Sequence, residues 1–180
     1  MEARTALMTF AEFERLPDPP SGHLELHHGE VVSMQPRIRS HAEIQVVFLS
    51  LLKELEGIGF LSIELPFRPA TEYEYWTADI GFVSKARWLA DAGNYFMGAP
   101  DLIIEILSDS NTMREMLDRQ EIYLDNGCVC FCVVDPKRQT IMVTTPDRTT
   151  RTYRRDERFV RPGILTSAIE VAAIFTPVLQ

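Results

Sequence analysis

The chain has 180 residues, which is enough for one domain with its own hydrophobic core. Its apolar share of 46% excludes a disordered protein, and its formal net charge of −8 disfavours a strong non-specific binder of nucleic acid. No apolar run approaches the roughly 18 residues of a membrane helix and no signal-peptide pattern opens the chain, so we expect a cytoplasmic protein.

The first predicted elements are a short helix and a hairpin. Thr9 and Glu12 have the spacing of a capping box, which predicts a helix start. The Pro-rich segment 17–20 ends this helix because proline cannot donate to the helical ladder. Residues 24–34 are typical of two short strands that turn at His28-Gly29.

The longest helix and three strands follow. Ser40 and Glu43 predict a second capping box, apolar residues recur at helical spacing, and Gly57 ends the helix. The third strand is apolar except for Asp101 and Glu105, as expected of a strand buried on both faces. The predicted strands cover 60–68, 77–83 and 101–107.

The second half of the chain adds helices over 112–125 and 171–175 and strands over 129–134, 140–145 and 150–155. This order predicts an α/β fold, with a mixed central sheet flanked by helices in a single domain over 1–180. Within it, 1–22 would hold the N-terminal helix and Pro-rich turn, and 146–180 the C-terminal strand and short helix.

The three cysteines, Cys128, Cys130 and Cys132, alternate along one predicted strand, which places them on one face. On one face they cannot surround zinc tetrahedrally, and an odd number is a poor disulfide framework. We therefore interpret them as buried, reduced residues of the core.

Positive charge is concentrated near the C-terminus. Residues 137–161 carry eight Lys or Arg against three acids, a local charge of +5 in a chain of net charge −8. A surface that contacts phosphate and a solvated hairpin with polar strand faces both account for this stretch.

Two carboxylates interrupt apolar strand patterns, Asp79 within 77–83 and Glu105 within 101–107. A buried lone charge is costly unless it is paired, protonated or bound to a metal. On neighbouring strands the two acids would meet at one pocket and hold Mg²⁺, which prefers oxygen ligands. The alternative, in which each acid pairs with a nearby arginine or caps a backbone turn, fits the pattern equally well.

A set of short motifs, in a specific order and spacing from about residue 8 to 145, resembles a bacterial protein family. The set comprises Met8-Thr9-Phe10 with Glu12-Phe13, Glu25-Leu26, the run 29–34, His41, Ala78-Asp79-Ile80, the run 98–108, Tyr123, Gly127 and Val134-Asp135-Pro136. The sequence is thereby similar to the Uma-two family of restriction endonucleases, within the PD-(D/E)XK nuclease superfamily.

The resemblance implies a restriction-endonuclease-like fold in which Asp79 and Glu105 bind Mg²⁺ or Mn²⁺, with the carbonyl of Ile106 as a further ligand. It also implies that Glu25 completes or orients the site. His41 matches a family histidine at the start of the long helix, where it would accept a hydrogen bond or contact a water. A local structural bond at the helix start is the alternative role of His41.

Four positions depart from the pattern of the family or superfamily, and one of them is Glu115, where the family has aspartate. Leu107 stands where the superfamily has lysine, and Cys130 replaces a glutamate of the family. The basic residue that the family carries on the following helix is Arg119 here. Since arginine essentially never deprotonates, Arg119 would orient a water or stabilise phosphate charge but cannot be the general base.

These residues support two hypotheses. The first is Mg²⁺-dependent hydrolysis of phosphodiester bonds in DNA by a homodimer, because duplex cutting often uses two-fold symmetric pairs. The second, favoured by Leu107 and Cys130, is a catalytically weak or inactive nuclease fold that acts as a binding or assembly module. Hydrolysis requires Arg119 to face one pocket together with the carboxylates, whereas a solvent-facing Arg119 favours binding.

Overall fold

The computed structural model describes residues 7–69, 72–108 and 111–176. Residues 1–6 and 177–180 of the predicted domain lie outside these ranges. Within them, no helix is long and apolar enough to span a lipid bilayer.

The N-terminal helix and the hairpin are confirmed. Before α1 (Phe10–Phe13), the Thr9 hydroxyl accepts a hydrogen bond from the Glu12 amide, and the Glu12 carboxylate accepts one from the Thr9 amide. Strands β1 (His23–His27) and β2 (Glu30–Met34) then pair in antiparallel register around the predicted turn.

Helix α2 (Arg39–Leu51) confirms the predicted long helix but starts differently. The predicted capping box of Ser40 and Glu43 is wrong, because Ile38 is the N-cap residue and provides no side-chain hydrogen bond. The Glu43 carboxylate instead accepts a hydrogen bond of 2.7 Å from Arg39.

A seven-stranded mixed sheet forms the centre of the fold. A 3₁₀ helix over Lys53–Gly57 replaces the predicted end of the long helix. The strands of the sheet are β3 (Gly59–Arg68), β4 (Trp76–Ser84), β5 (Phe96–Met97), β6 (Leu102–Ile106), β7 (Cys130–Asp135), β8 (Thr140–Thr144) and β9 (Thr150–Tyr153). Their order across the sheet is β5-β3-β4-β6-β7-β8-β9. The β3–β5 and β6–β7 pairs are parallel, and the other neighbours are antiparallel.

The remaining elements are partly predicted. Helix α4 (Met113–Asp125) and the terminal helix α5 (Val171–Ile174) lie where the sequence indicates. Helix α3 (Lys85–Ala90) and strand β5 were not predicted, since such short elements carry little periodicity. A hairpin of β10 (Arg158–Arg161) and β11 (Leu165–Glu170) also extends the C-terminal part beyond the single strand predicted there.

Helices cover both faces of the sheet, which confirms the predicted architecture. Ile104 and Cys132 belong to a core cluster that includes Phe48 of α2, here called the α2 layer. Ile103 and Phe131, the adjacent residues on the same strands, belong to a cluster that includes residues of α4, here called the α4 layer. The alternation shows that β6 and β7 are buried on both sides.

The cysteines are buried and free, as predicted, but they do not share one face. Cys130 and Cys132 pack in the α2 layer, with their Sγ atoms 3.8 Å apart. Cys128 packs in the α4 layer. The prediction is wrong for Cys128 because this residue precedes β7, so the strand alternation does not apply to it.

Candidate active site

Strands β3 and β4 both change faces at the same level of the sheet. In β3, Ile63 packs in the α2 layer and Leu65 in the α4 layer, although residues two apart in a strand normally share a face. In β4, Ala78 and Ile80 show the same change. Glu64, at the point of change, has a φ of 49°. Such a conformation costs a non-glycine residue about 1–2 kcal/mol and is concentrated at functional sites.

Three carboxylates form a row across neighbouring strands at this level. The pairing of β3 with β4 places Glu64 opposite Asp79, and the pairing of β4 with β6 places Asp79 next to Glu105. The Ile106 amide on β6 donates a hydrogen bond of 2.8 Å to Asp79 Oδ2. This bond holds the Asp79 carboxylate against the strand that carries Glu105.

Asp79 Oδ1 lies between two basic side chains. It is 2.6 Å from the Arg37 guanidinium and 3.2 Å from Nε2 of His41. Neither contact has hydrogen-bond geometry, and in the described part of the chain Asp79 Oδ1 and His41 Nε2 are both buried polar atoms without a hydrogen bond. Buried polar atoms almost always have a partner. These two atoms are close enough to bind the same cation.

Glu64 completes a group of atoms that fits a divalent cation. Ligand atoms of Glu64, Asp79 and His41 lie within 4.8 Å of one another. Arg37 Nε donates to Glu64 Oε1 at 3.1 Å, and Gln45 donates to Glu64 Oε1 at 2.5 Å and to the Asp79 carbonyl at 3.0 Å. Two carboxylates completed by water are suitable ligands for Mg²⁺ or Mn²⁺, whereas an imidazole ligand is more typical of transition metals than of Mg²⁺.

Glu105, the third acid of the row, is 2% exposed and lies in a different environment. Its Oε1 accepts a hydrogen bond of 2.9 Å from the Tyr123 hydroxyl and lies 3.6 Å from the Arg119 guanidinium. Burial, followed by the negative charge of Asp79, raises the pKa of Glu105 to about 8, although Arg119 and Tyr123 act in the opposite direction. Without a cation the carboxyl group is therefore largely protonated at neutral pH.

Glu25 of β1 is fully buried and orients Arg119. The Glu25 Oε2 atom accepts a hydrogen bond of 3.3 Å from Arg119 and lies 2.6 Å from Nε2 of His27, and Oε1 lies 3.2 Å from Nε2 of His23. Burial alone would raise the pKa of Glu25, but His23, His27 and Arg119 together lower it to about 2. An ionised Glu25 thus fixes a guanidinium beside Glu105.

A cleft of about 400 Å³ borders this group of charges. Arg37 and Arg119 line it, as do His27 and Trp76, whose rings stack at 3.8 Å. Asp79 is only 1% exposed and is not among the lining residues. The two arginines therefore have one side towards the cleft and the other towards the buried carboxylates.

The predicted site residues are brought together, with two differences. Arg119 faces the cleft and lies 5.1 Å from the Trp76 ring centroid, as hydrolysis requires of it, but Asp79 and Glu105 are buried and do not line this cleft. His41 contacts Asp79. Ile106, predicted to act through its carbonyl, contacts Asp79 through its amide. Leu107 packs against the α4 layer.

Sequence reasoning missed three residues of this site, Glu64, Arg37 and Tyr123. Glu64 lies in a strand of mixed polarity and Arg37 in a segment without periodicity, so neither carries a local signal. Tyr123 was available as one of the motif residues of the family, but its contact with Glu105 depends on how α4 packs on the sheet.

Part of the basic C-terminal stretch is paired with acids or buried. Arg148 lies 2.6 Å from Asp125, and Arg151 lies 3.3 Å from Glu157. Arg161 is fully buried. These contacts favour the interpretation as a solvated hairpin over a surface that contacts phosphate.

Comparisons with known proteins identify the family of the chain and a structure of similar fold. Residues 10–173 match the Uma2 family, described as "Putative restriction endonuclease". The structure is similar to the crystal structure of "a putative nuclease belonging to DUF820" from Anabaena variabilis ATCC 29413, with a TM-score of 0.78 and 23% sequence identity over 93% of this chain and 97% of that chain. This likeness confirms the predicted restriction-endonuclease-like fold. No curated protein matches the sequence.

Proposed function

Because the chain belongs to the Uma2 family, described as "Putative restriction endonuclease", we propose that it is a cytoplasmic, divalent-metal-dependent endonuclease that hydrolyses phosphodiester bonds in DNA. The observation that carries this proposal is the row of Glu64, Asp79 and Glu105 beside a cleft that two arginines line. An acidic row binds a cation, and the guanidinium groups of Arg37 and Arg119 bind phosphate, although Glu115 and Asp118 also line the cleft.

The charge of the site supports a divalent ion. The four carboxylates of Glu25, Glu64, Asp79 and Glu105 face the guanidinium groups of Arg37 and Arg119 (contacts given above). When all four acids are ionised, the sum is two negative charges, which Mg²⁺ or Mn²⁺ neutralises. In its absence, the raised pKa of Glu105 reduces the same imbalance by protonation.

Asp79 is the residue that the proposal assigns most firmly to the metal, with His41 and Glu64 as the neighbouring donors. Glu105 and the carbonyl of Ile106 complete the set expected from the family. These residues would hold Mg²⁺ or Mn²⁺, which would supply Lewis acidity for the hydrolysis of the phosphodiester.

Arg119 supplies positive charge to the phosphate during the reaction. Its guanidinium lines the cleft while Glu25 and Tyr123 hold it from the buried side. A guanidinium held in advance stabilises charge that develops on the phosphate without reorganising. Arg119 stays protonated, so its role is electrostatic.

A binding or assembly module is the second candidate, and Leu107 is the observation that favours it. Leu107 packs against the α4 layer and leaves the position of the superfamily lysine without a basic group. In that case the site would bind a cation and nucleic acid with little turnover. A homodimer is proposed for either function, and light scattering after gel filtration tests it.

The experiment that tests the proposal combines metal binding with turnover. Glu105→Ala should abolish the Mn²⁺-induced rise in Tm, whereas Glu43→Ala, which changes an exposed acid on α2, should leave it intact. Wild-type protein should then cut single- or double-stranded DNA in Mg²⁺ or Mn²⁺. An unchanged melting shift in Glu105→Ala contradicts the site, and folded, metal-binding protein without cleavage activity supports the binding module.

A further inference from the structure

Arg37 occupies the space between two of the proposed metal ligands. Its guanidinium lies 2.6 Å from Asp79 Oδ1, and its Nε and terminal nitrogens lie 3.1 and 3.4 Å from the two carboxylate oxygens of Glu64. Asp79 and Glu64 are also two members of the group that fits a cation. A guanidinium and a metal ion cannot both make these contacts.

The two arginines of the cleft are held in different ways. Arg119 is 9% exposed and contacts Glu25 on β1, Tyr123 on α4 and Glu105 on β6. Arg37 lies in the segment between β2 and α2, its side chain is 22% exposed, and its described ion-pair partners are Glu64 and Asp79. Arg37 is therefore the arginine that can leave the acids when they gain another cation.

The position of Arg37 indicates where its guanidinium would lie after a cation displaces it from Asp79 and Glu64. The residue lines the same cleft as Arg119, so a rotation of its long side chain away from Asp79 directs the guanidinium into the cleft. Arginine binds phosphate through two parallel hydrogen bonds, which a lysine ammonium cannot form. A phosphodiester in the cleft would thus offer Arg37 an anion in place of the one it loses.

We propose that Arg37 is an internal counterion that holds Glu64 and Asp79 when no metal is bound, and that a divalent cation displaces it into the cleft, where it binds the substrate phosphate. This inference rests on the proposed metal-dependent function. It makes metal and phosphate binding cooperative, because each ligand favours the same position of Arg37. By linkage, the coupling is equal in both directions.

Mn²⁺ affinity, measured by titration calorimetry without nucleic acid, tests the inference. Arg37→Gln should bind Mn²⁺ roughly ten-fold more tightly than wild type, since only the wild type must give up a charge-assisted contact. The variant should also melt at a lower temperature in EDTA, because its acids lack a counterion, and show a larger rise in Tm with Mn²⁺. The matched control is Arg39→Gln, which removes a neighbouring arginine that pairs with Glu43 and should change neither quantity.

A second variant and a phosphate probe complete the test. Arg37→Lys keeps the charge and should retain near wild-type Mn²⁺ affinity, but it should lose most of the mutual enhancement between Mn²⁺ and a phosphorothioate DNA duplex. If the wild type binds Mn²⁺ and Arg37→Gln binds it equally or more weakly, the proposed role of Arg37 is overturned and the proposed metal site is not. Absence of Mn²⁺ binding in the wild type and in both variants overturns this inference together with the proposed function.

Discussion

Glu64 lies opposite Asp79 across β3 and β4, at the level where both strands exchange faces. The pair combines two unfavourable features, a positive φ at Glu64 and two carboxylates side by side. Such features persist where the surrounding structure or a ligand stabilises them. In this structure the Arg37 guanidinium lies at both acids, and the proposed divalent cation would take its place there.

Glu64→Asn separates the charge of this residue from its backbone. Asparagine tolerates a positive φ, so we expect the variant to fold, with a lower Tm in EDTA because Arg37 loses one of its two carboxylate partners. Loss of one carboxylate should weaken Mn²⁺ binding roughly ten-fold, or by about 1.4 kcal/mol. Calorimetric titration with Mn²⁺ checks this result, with Glu43→Gln as the control for an exposed acid. Unchanged Mn²⁺ affinity would remove Glu64 from the site.

The site residues that could be predicted from the sequence are charged residues within apolar strands. Asp79 and Glu105 interrupt apolar strands, and a charge in that setting requires an explanation whatever the tertiary structure. The main helices and strands were predicted for the same reason, since their apolar residues repeat with a clear period.

Glu64 and Arg37 could not be found in this way. Glu64 joins the site through the register of β3 on β4 and through a positive φ, and neither is encoded in the local polarity pattern. Arg37 joins it from an irregular segment, through contacts that span 27 residues to Glu64 and more to Asp79. The capping box predicted at Ser40 failed because Glu43 pairs with Arg39 instead.

The pKa of Glu105 makes the stability of the metal-free protein depend on pH. The folded-state pKa of about 8 lies above the ordinary value of 4.5, so the folded protein binds more protons than the unfolded chain between these values. The stabilising contribution is complete below about pH 4.5 and is lost as pH rises towards 8. We expect the free energy of unfolding in EDTA, measured by urea denaturation, to fall across this range.

Glu105→Gln provides the comparison for that pH profile. An amide does not titrate, so the difference in unfolding free energy between wild type and variant isolates the contribution of Glu105. The variant should show a flatter profile between pH 5 and 8. Parallel profiles for the two proteins would contradict the raised pKa.

Tyr123→Phe tests the hydrogen bond between the Tyr123 hydroxyl and Glu105. The substitution removes a buried bond of 2.9 Å and should lower the free energy of unfolding by about 1–2 kcal/mol. Since this bond favours the ionised carboxylate, its loss should also shift the pH profile of stability to higher pH. Urea denaturation at several pH values measures both effects. A stability loss without a pH shift would assign Tyr123 to packing alone.

Asp101 is the second acid at the strand that carries Glu105, and the structure assigns it a different role. Its carboxylate accepts hydrogen bonds of 2.6 Å from the Ser84 amide and 2.8 Å from Arg87, away from the carboxylate row. We expect Asp101→Ala to lower the free energy of unfolding by about 1–2 kcal/mol, because the partly buried Ser84 amide loses its acceptor while Arg87 keeps the Ala99 carbonyl. The Mn²⁺-induced rise in Tm should stay at the wild-type value, since Asp101 contacts none of the proposed ligands. Loss of that rise in a folded Asp101→Ala protein would mean that the metal site extends along β6 beyond Glu105.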